Sequence, residues 1–354
     1  MKIRLLSEPR VILSNPDGIH NYFGWPSVAR LQDGTLAAVA SGFRLAHVCP
    51  FGKSVMIRSS DEGKTWSPPE IIIDTPLDDR DSGIVPFGKC GVIVTSFNNT
   101  VAFQRGANPD DPYIQAYLDR VSSLPDGEKL LGSTFVLSRD GGKTFGRVML
   151  SPVTSPHGPL EMPDGTLLYI GRFFDGHYDG EPGRHIGAVR VTPEGECTVI
   201  GTIEDVAPEL LSCEPHAVLL PDGKIVVHIR IEREGYFTLY QSVSRDGGHT
   251  FTRPEPLLPK RGGAPAHLLL HSSGVLLSVY GYREVPYGIR CMASRDGGET
   301  WDTANEVAVG YPSGDLGYPA SVELADGSLY TVYYARAEEE GPAMIWGVNW
   351  TFTL

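Results

Sequence analysis

The sequence predicts an all-β protein, a six-bladed β-propeller, on three observations. One aspartate-containing turn occurs four times. One apolar strand pattern occurs six times at a nearly regular step. Glycine and proline, 41 and 28 of 354 residues, are plentiful enough to join many short strands.

The turn reads Ser-x-Asp-x-Gly-x-Thr-Trp/Phe. It appears as SSDEGKTW at 59–66, SRDGGKTF at 138–145, SRDGGHTF at 244–251 and SRDGGETW at 294–301. Its chemistry suits a hairpin corner. The aspartate accepts from backbone amides just ahead, glycine supplies a positive φ, and the aromatic is expected to tuck between strands.

The strand pattern is a short polar start, an apolar-x-apolar stretch, Asp-Gly, then a strongly apolar strand. Counting seven residues back from each Asp-Gly, or its substitute, gives Pro26, Gly83, His157, Pro215, Ala266 and Pro319. The steps are 57, 74, 58, 51 and 53 residues. Six units of about 50–60 residues, each holding some four strands, describe a propeller rather than a sandwich. The aspartate turns fall in units one, two, four and five. The extra length of unit two, around residues 106–132, predicts an excursion with a short helix over one face. EPRVILS near Arg10 is expected to complete unit six and close the ring, so residues 1–354 form one domain.

Composition narrows the function. The formal charge is −13 and the isoelectric point about 5.2, which disfavours nucleic acid. No apolar run reaches the length of a membrane span, and MKIRLLSEPR lacks the apolar core of a secretory leader. Cys49, Cys90, Cys197, Cys213 and Cys291 are odd in number and scattered, so buried free thiols and a reducing, cytoplasmic location are expected. Nothing in the sequence indicates the oligomeric state.

Six units with these turns, known as Asp-boxes or BNR repeats, resemble the sialidase (neuraminidase) superfamily over essentially the whole chain. The resemblance implies a six-bladed propeller with its site at the starts of the inner strands. In that family three arginines hold the carboxylate of an acidic sugar. A tyrosine nucleophile is activated by a glutamate, and an aspartate serves as acid and base. Tyr318 in GYPASVELADG looks like the nucleophile motif, and Glu214 in CEPHAVLLPDG like the activating glutamate. Arg230 in VVHIR is similar to the arginine ending the next strand. Arg290, 28 residues before Tyr318, has the spacing of a further carboxylate-binding arginine. Arg44 in ASGFR resembles an accessory arginine of the first blade.

Two departures stand out. Gly24-Trp25-Pro26 replaces the family's Arg-Ile-Pro, so one arginine is missing. The loop after Arg44, LAHVCPFGK, holds no carboxylate where the acid/base aspartate belongs. Arg80 is the candidate replacement cation. Asp81, Asp79 or His47 is the candidate acid. Trp25 is read either as a sugar-stacking surface or as packing. His157, His216 and His267 begin three consecutive inner strands and are read as carbohydrate-binding candidates; no metal site is expected. The sequence therefore points to an exo-glycosidase removing a terminal acidic sugar, sialic acid or a related keto-deoxy acid, without a cofactor. Two alternatives stay open: a uronate polysaccharide lyase using His157 or His216 with Tyr318, and a carbohydrate-binding propeller without turnover.

Overall fold

The computed structural model describes residues 1–174, 183–233, 236–258, 262–263 and 265–353. Their strands form six antiparallel sheets arranged as the blades of a propeller. Blade one is Tyr22–Arg30, Leu36–Arg44, Lys53–Ser59 and Glu70–Ile73, from axis to rim. Blade two is Arg80–Phe87, Gly91–Phe97, Ser133–Ser138 and Met149–Ser151. In blade three the inner strand is interrupted: Val153–Thr154 and Leu160–Glu161 both pair with Leu167–Phe173, followed by Ile186–Val191 and Cys197–Ile203. Blade four is Leu211–Leu219, Ile225–Arg233, Tyr236–Ser244 and Glu255–Pro256. Blade five is Ala266–Leu270, Leu276–Tyr282, Tyr287–Ser294 and Asp302–Tyr311. Blade six is Gly317–Glu323, Leu329–Arg336 and Ala343–Thr353.

The ring closes through the start of the chain. Arg10–Leu13 pairs with Ala343–Thr353 as expected, and Lys2–Leu5 pairs with the same strand further along. The outer edge of blade six is thus made by both segments.

The four Asp-boxes join third to fourth strands in the blades predicted, and each closes by one local network. In the first, the Ser59 hydroxyl donates to Asp61 Oδ1 (2.7 Å) and accepts from the Gly63 amide (2.9 Å). The Thr65 amide and hydroxyl donate to the two Asp61 oxygens (2.8 and 2.7 Å). Asp140, Asp246 and Asp296 repeat it. The residue after the aspartate needs a positive φ. Three copies use glycine, and the first uses Glu62 at φ 59°, its carboxylate 3.0 Å from Arg30. The box aromatics pack between blades rather than between strands of one blade. Trp66 meets Tyr330 of blade six, and Trp301 meets His228 of blade four.

The core lies between neighbouring sheets. Blades six and one share a cluster around Phe23, Leu36, Ile57 and Val332. Blades two and three share one around Phe135, Tyr169 and Val189. Blades three and four share one around Ile170, Val227 and Ile229. Second strands, such as LLYIGRF in blade three, are sandwiched on both faces and are apolar almost without alternation. Each such Val, Leu or Ile contributes roughly 1.5–3 kcal/mol by burial.

The excursion of blade two is two helices, α1 (Val101–Ala107) and α2 (Pro112–Ser123), and it starts earlier than the sequence suggested. Asp111 caps α2 by accepting from the Tyr113 and Ile114 amides, with Pro112 in the first turn. Ile114, Leu118 and Val121 pack the helix on Val101 and Leu77. All five cysteines are free, but only Cys49, Cys213 and Cys291 are buried; Cys90 is exposed. Among the described residues no helix is long and apolar enough to cross a membrane.

Candidate active site

The inner strands of four blades carry the same irregularity. In each, two pairs of the ladder flank a shift in register: Gly24 and Ser27, Arg80 and Gly83, Cys213 and His216, Gly317 and Ala320. The residue just past the first of each pair is Trp25, Asp81, Glu214 and Tyr318. Each has a positive φ, 52°, 49°, 46° and 49°. Left-handed backbone at non-glycine residues costs about 1–3 kcal/mol apiece and persists where the surroundings impose it, often at functional sites. These four equivalent positions mark the site.

At its centre the Tyr318 hydroxyl donates to Glu214 Oε1 at 2.5 Å. Arg230 Nη1 donates to Glu214 Oε2 (2.6 Å) and to the Tyr318 oxygen (3.1 Å). Its other terminal nitrogen is held by Glu232. Tyr318 is 4% exposed. Burial, then Glu214 and Asp81, push its pKa well above the ordinary value, while Arg230 and Arg283 oppose this. The phenol is therefore neutral at rest and already bonded to a base.

Arg283 is the residue that sequence reading missed. It lies just beyond the second strand of blade five, with its guanidinium 5.8 Å from the Tyr318 ring centre and 5.5 Å from that of Phe237. Nε donates to the Leu316 carbonyl (3.0 Å) and Nη2 to the Tyr334 hydroxyl (3.2 Å). Arg290, chosen by spacing, is a correction. It sits on the third strand, over Tyr282 at 3.4 Å and 3.3 Å from Glu306, away from this cluster. A repeat signal pointed to Arg283: five of the six second strands carry an arginine within three residues of their ends, at Arg44, Arg172, Arg230, Arg283 and Arg336.

Trp25 and Arg44 are further corrections. Trp25 is 1% exposed, with the Arg80 guanidinium 4.1 Å and the Arg44 guanidinium 4.8 Å from its ring centre, so it packs and offers no face to a sugar. Arg44 is wholly buried against Asp78, with contacts of 2.5 and 2.9 Å, and cannot reach a substrate. Asp78 and Asp79, ahead of Arg80, are fully buried as well. Asp78 also accepts from the Cys49 amide, and Asp79 accepts from the amide and hydroxyl of Thr75. Arg80 donates to the His47 carbonyl (2.7 Å) and lies 3.4 Å from Asp78.

Asp81 faces Glu214 across a small cavity of about 140 Å³, lined also by Phe97, Pro156, Phe173 and Cys213. Burial, and then Glu214, raise its pKa to about 7 against Arg80, Arg230 and Arg44. The unfolded carboxyl ionises near pH 4, the folded one only near 7, so this group costs stability increasingly as pH rises between those values. Asp81→Asn is accordingly expected to gain stability over wild type from pH 5 to pH 8, measured as the difference in thermal midpoint. A difference that stays flat across that range would contradict the assignment.

His157, His216 and His267 do come together, with ring centres 4.5–5.4 Å apart. Yet His157 and His216 are only 2% and 7% exposed. His157 Nδ1 bonds the Ser27 hydroxyl, and His216 Nδ1 accepts from the Leu268 amide. Burial lowers all three pKa values, that of His267 to about 3. They pack as neutral rings at the axis, a correction to their reading as sugar contacts, and no metal-ligand cluster exists among the described residues. His47, by contrast, stands at the mouth with a half-exposed side chain. Its Nδ1 is 3.1 Å from the Tyr22 hydroxyl and 3.6 Å from Asp315.

A closed ring of six sheets, with Asp-box corners and a Tyr–Glu–Arg cluster at the inner-strand starts, makes a BNR-repeat propeller with the fold that sialidases share. Residues 96–331 match the family model described as a BNR repeat-like domain, and the chain belongs to that family. A Dyadobacter fermentans protein of unknown function is similar at 21% identity over 99% of both chains, with a TM-score of 0.78. A variant of the NanB sialidase of Streptococcus pneumoniae is similar at 12% identity over 97% of this chain and 70% of its own, with a TM-score of 0.69. The intramolecular trans-sialidase of Ruminococcus gnavus, in complex with oseltamivir carboxylate, is similar at 13% identity over 96% and 97%, with a TM-score of 0.67. Identities this low establish the shared fold. No curated protein sequence matches.

Proposed function

We propose that the protein is a glycoside hydrolase removing a terminal acidic sugar, a sialic acid or related keto-deoxy acid, through a covalent tyrosyl intermediate. The observation that carries this reading is the Tyr318–Glu214–Arg230 triangle. A neutral phenol approaches an anionic sugar without charge repulsion, and its pKa demands an adjacent base. Tyr318 Oη attacks the anomeric carbon as its proton passes to Glu214 Oε1. The glycosidic C–O bond breaks, and an acid, His47 or Asp81, gives its proton to the departing oxygen. Water then attacks the same carbon and yields a proton to that group, while the tyrosine leaves and recovers its proton from Glu214. Two displacements retain configuration. Arg230 and Arg283, with Arg80 where the missing first-blade arginine would act, supply the positive field for the sugar carboxylate. The acidic ligand of the Ruminococcus gnavus neighbour supports the substrate class.

The test is release of an aryl leaving group from an aryl α-sialoside, aryl keto-deoxy-sugar glycosides and a neutral glycoside, with absorbance at about 235 nm followed on uronate polymers. Turnover confined to an acidic glycoside is the expected result. A rise in absorbance without aryl release would replace the reading with a lyase. Silence throughout from folded protein would leave a binding propeller.

A further inference from the structure

His47 and Asp81 are the two groups able to protonate the leaving group, and they occupy opposite levels of the site. Asp81 is 4% exposed and shares the inner-strand level of Glu214 and Tyr318. His47 lies in the loop joining Leu36–Arg44 to Lys53–Ser59, with its side chain 52% exposed. An exo-acting enzyme buries the sugar and leaves the aglycone toward solvent, so the proton donor belongs at the mouth.

His47 is also held as a proton carrier should be. Nδ1 faces the Tyr22 hydroxyl and Asp315, and Nε2 has no hydrogen-bond partner among the described residues. Asp315 is a hub, three residues before Tyr318. It accepts from Tyr22 (3.0 and 3.1 Å), from Tyr334 (3.1 Å) and from Arg336 Nε (2.9 Å). Three blade-derived donors fix this carboxylate, and it in turn faces one ring nitrogen of the histidine. That arrangement sets tautomer and ring orientation, and the carboxylate opposes the burial that would strip the ring of its proton. Resting on the glycosidase reading above, we infer that His47 is the acid and base of this site, acting through Nε2, and that Asp315 is its positioning residue.

The groups facing His47 are mixed in sign. On balance its pKa lies below the ordinary histidine value: burial is the largest cause, the Asp315 carboxylate 3.6 Å away opposes it, and Arg80 and Arg44 add to it. Tyr22 is neutral, its own pKa pushed up chiefly by burial, and the Trp25 edge carries no charge. Arg336 lies beyond Asp315 and pairs with it at 2.8 Å. Asp315 itself stays ionised: burial works against this, but His47 and Arg336 hold its pKa below the usual carboxylate range. It is the one anion among these groups, so removing it moves the proton off His47 at lower pH.

The experiment has two arms. In the first, His47→Gln and Asp315→Asn are assayed on an acidic glycoside with an aryl leaving group and on the matching sugar-linked glycoside. An acid is needed chiefly by the poorer leaving group. His47→Gln should lose about 10²–10⁴-fold on the sugar-linked substrate and less than about 10-fold on the aryl one. Asp315→Asn should shift the alkaline limb of kcat/KM to lower pH. Equal losses on both substrates, or an unmoved limb, would overturn the dyad. In the second arm, NMR titration of the His47 ring in wild type and Asp315→Asn reads the coupling without activity. A pKa drop of about one unit or more is expected, and identical values would overturn the positioning role. Wild type silent on both glycosides with the titration shift intact would sink the glycosidase reading and the acid role with it. Loss of the shift in active enzyme would sink the dyad alone.

Discussion

Tyr318→Phe is expected to lower turnover of the acidic glycoside by about 10³-fold or more, equivalent to about 4 kcal/mol of barrier. The substitution removes one oxygen and leaves the rest of the cluster intact, because Arg230 keeps both Glu214 and Glu232. The thermal midpoint should move little, and the loss should fall on kcat rather than KM, since the ring remains to fill the floor. Glu214→Gln should lose about 10²–10⁴-fold. It deprives Tyr318 of its base and removes an anion that sits beside Asp81, so the pKa of Asp81 should fall. Steady-state kinetics with both variants checks the assignment, and a Tyr318→Phe enzyme within a few-fold of wild type would remove tyrosine from the chemistry.

The second large effect is on stability. Arg44 and Asp78 have side chains without any solvent exposure. Breaking such a pair strands a buried charge and costs about 3–5 kcal/mol, whereas replacing both partners by apolar groups of similar volume costs far less. Asp78→Ala is expected to lie at the upper end. Its carboxylate also receives the Cys49 amide at 3.0 Å and Arg80 at 3.4 Å, so three parts of the mouth lose their common partner. Urea unfolding of Arg44→Ala, Asp78→Ala and Arg44→Met with Asp78→Leu would show it. A loss below about 1 kcal/mol in both single variants would refute the buried-charge account. His47 sits in the loop that Asp78 anchors, so partly folded variants should also lose activity.

The propeller was legible because its signals are local. An Asp-box satisfies its own hydrogen bonds within seven residues, so four copies announce four corners whatever surrounds them. Glu214, Tyr318 and Arg230 were legible for a related reason: they lie on strands whose Asp-Gly turns set the count. Arg283 was passed over because a borrowed spacing pointed to Arg290. The chain's own repeat, arginine at the close of second strands, was the better guide. Trp25 was ambiguous because a sequence does not say which face of a ring is taken, and here guanidinium groups take it. Asp315 carries no motif. Its importance arises from Tyr22, His47, Tyr334 and Arg336, which meet only when the first and last blades are side by side.

That meeting depends on how the circle is fastened. Joining the two ends of a chain this long costs roughly 5 kcal/mol of loop entropy, incurred once and growing only logarithmically as blades are added. Lys2–Leu5 and Arg10–Leu13, zipped along Ala343–Thr353, are the clasp that offsets it. An open stack of repeats can fray from its ends while its middle stays ordered. A clasped ring has no ends to sacrifice. The first dozen residues, far from any chemistry in the sequence, therefore govern whether His47 of the first blade and Asp315, ahead of the sixth, stand close enough to feel each other's charge.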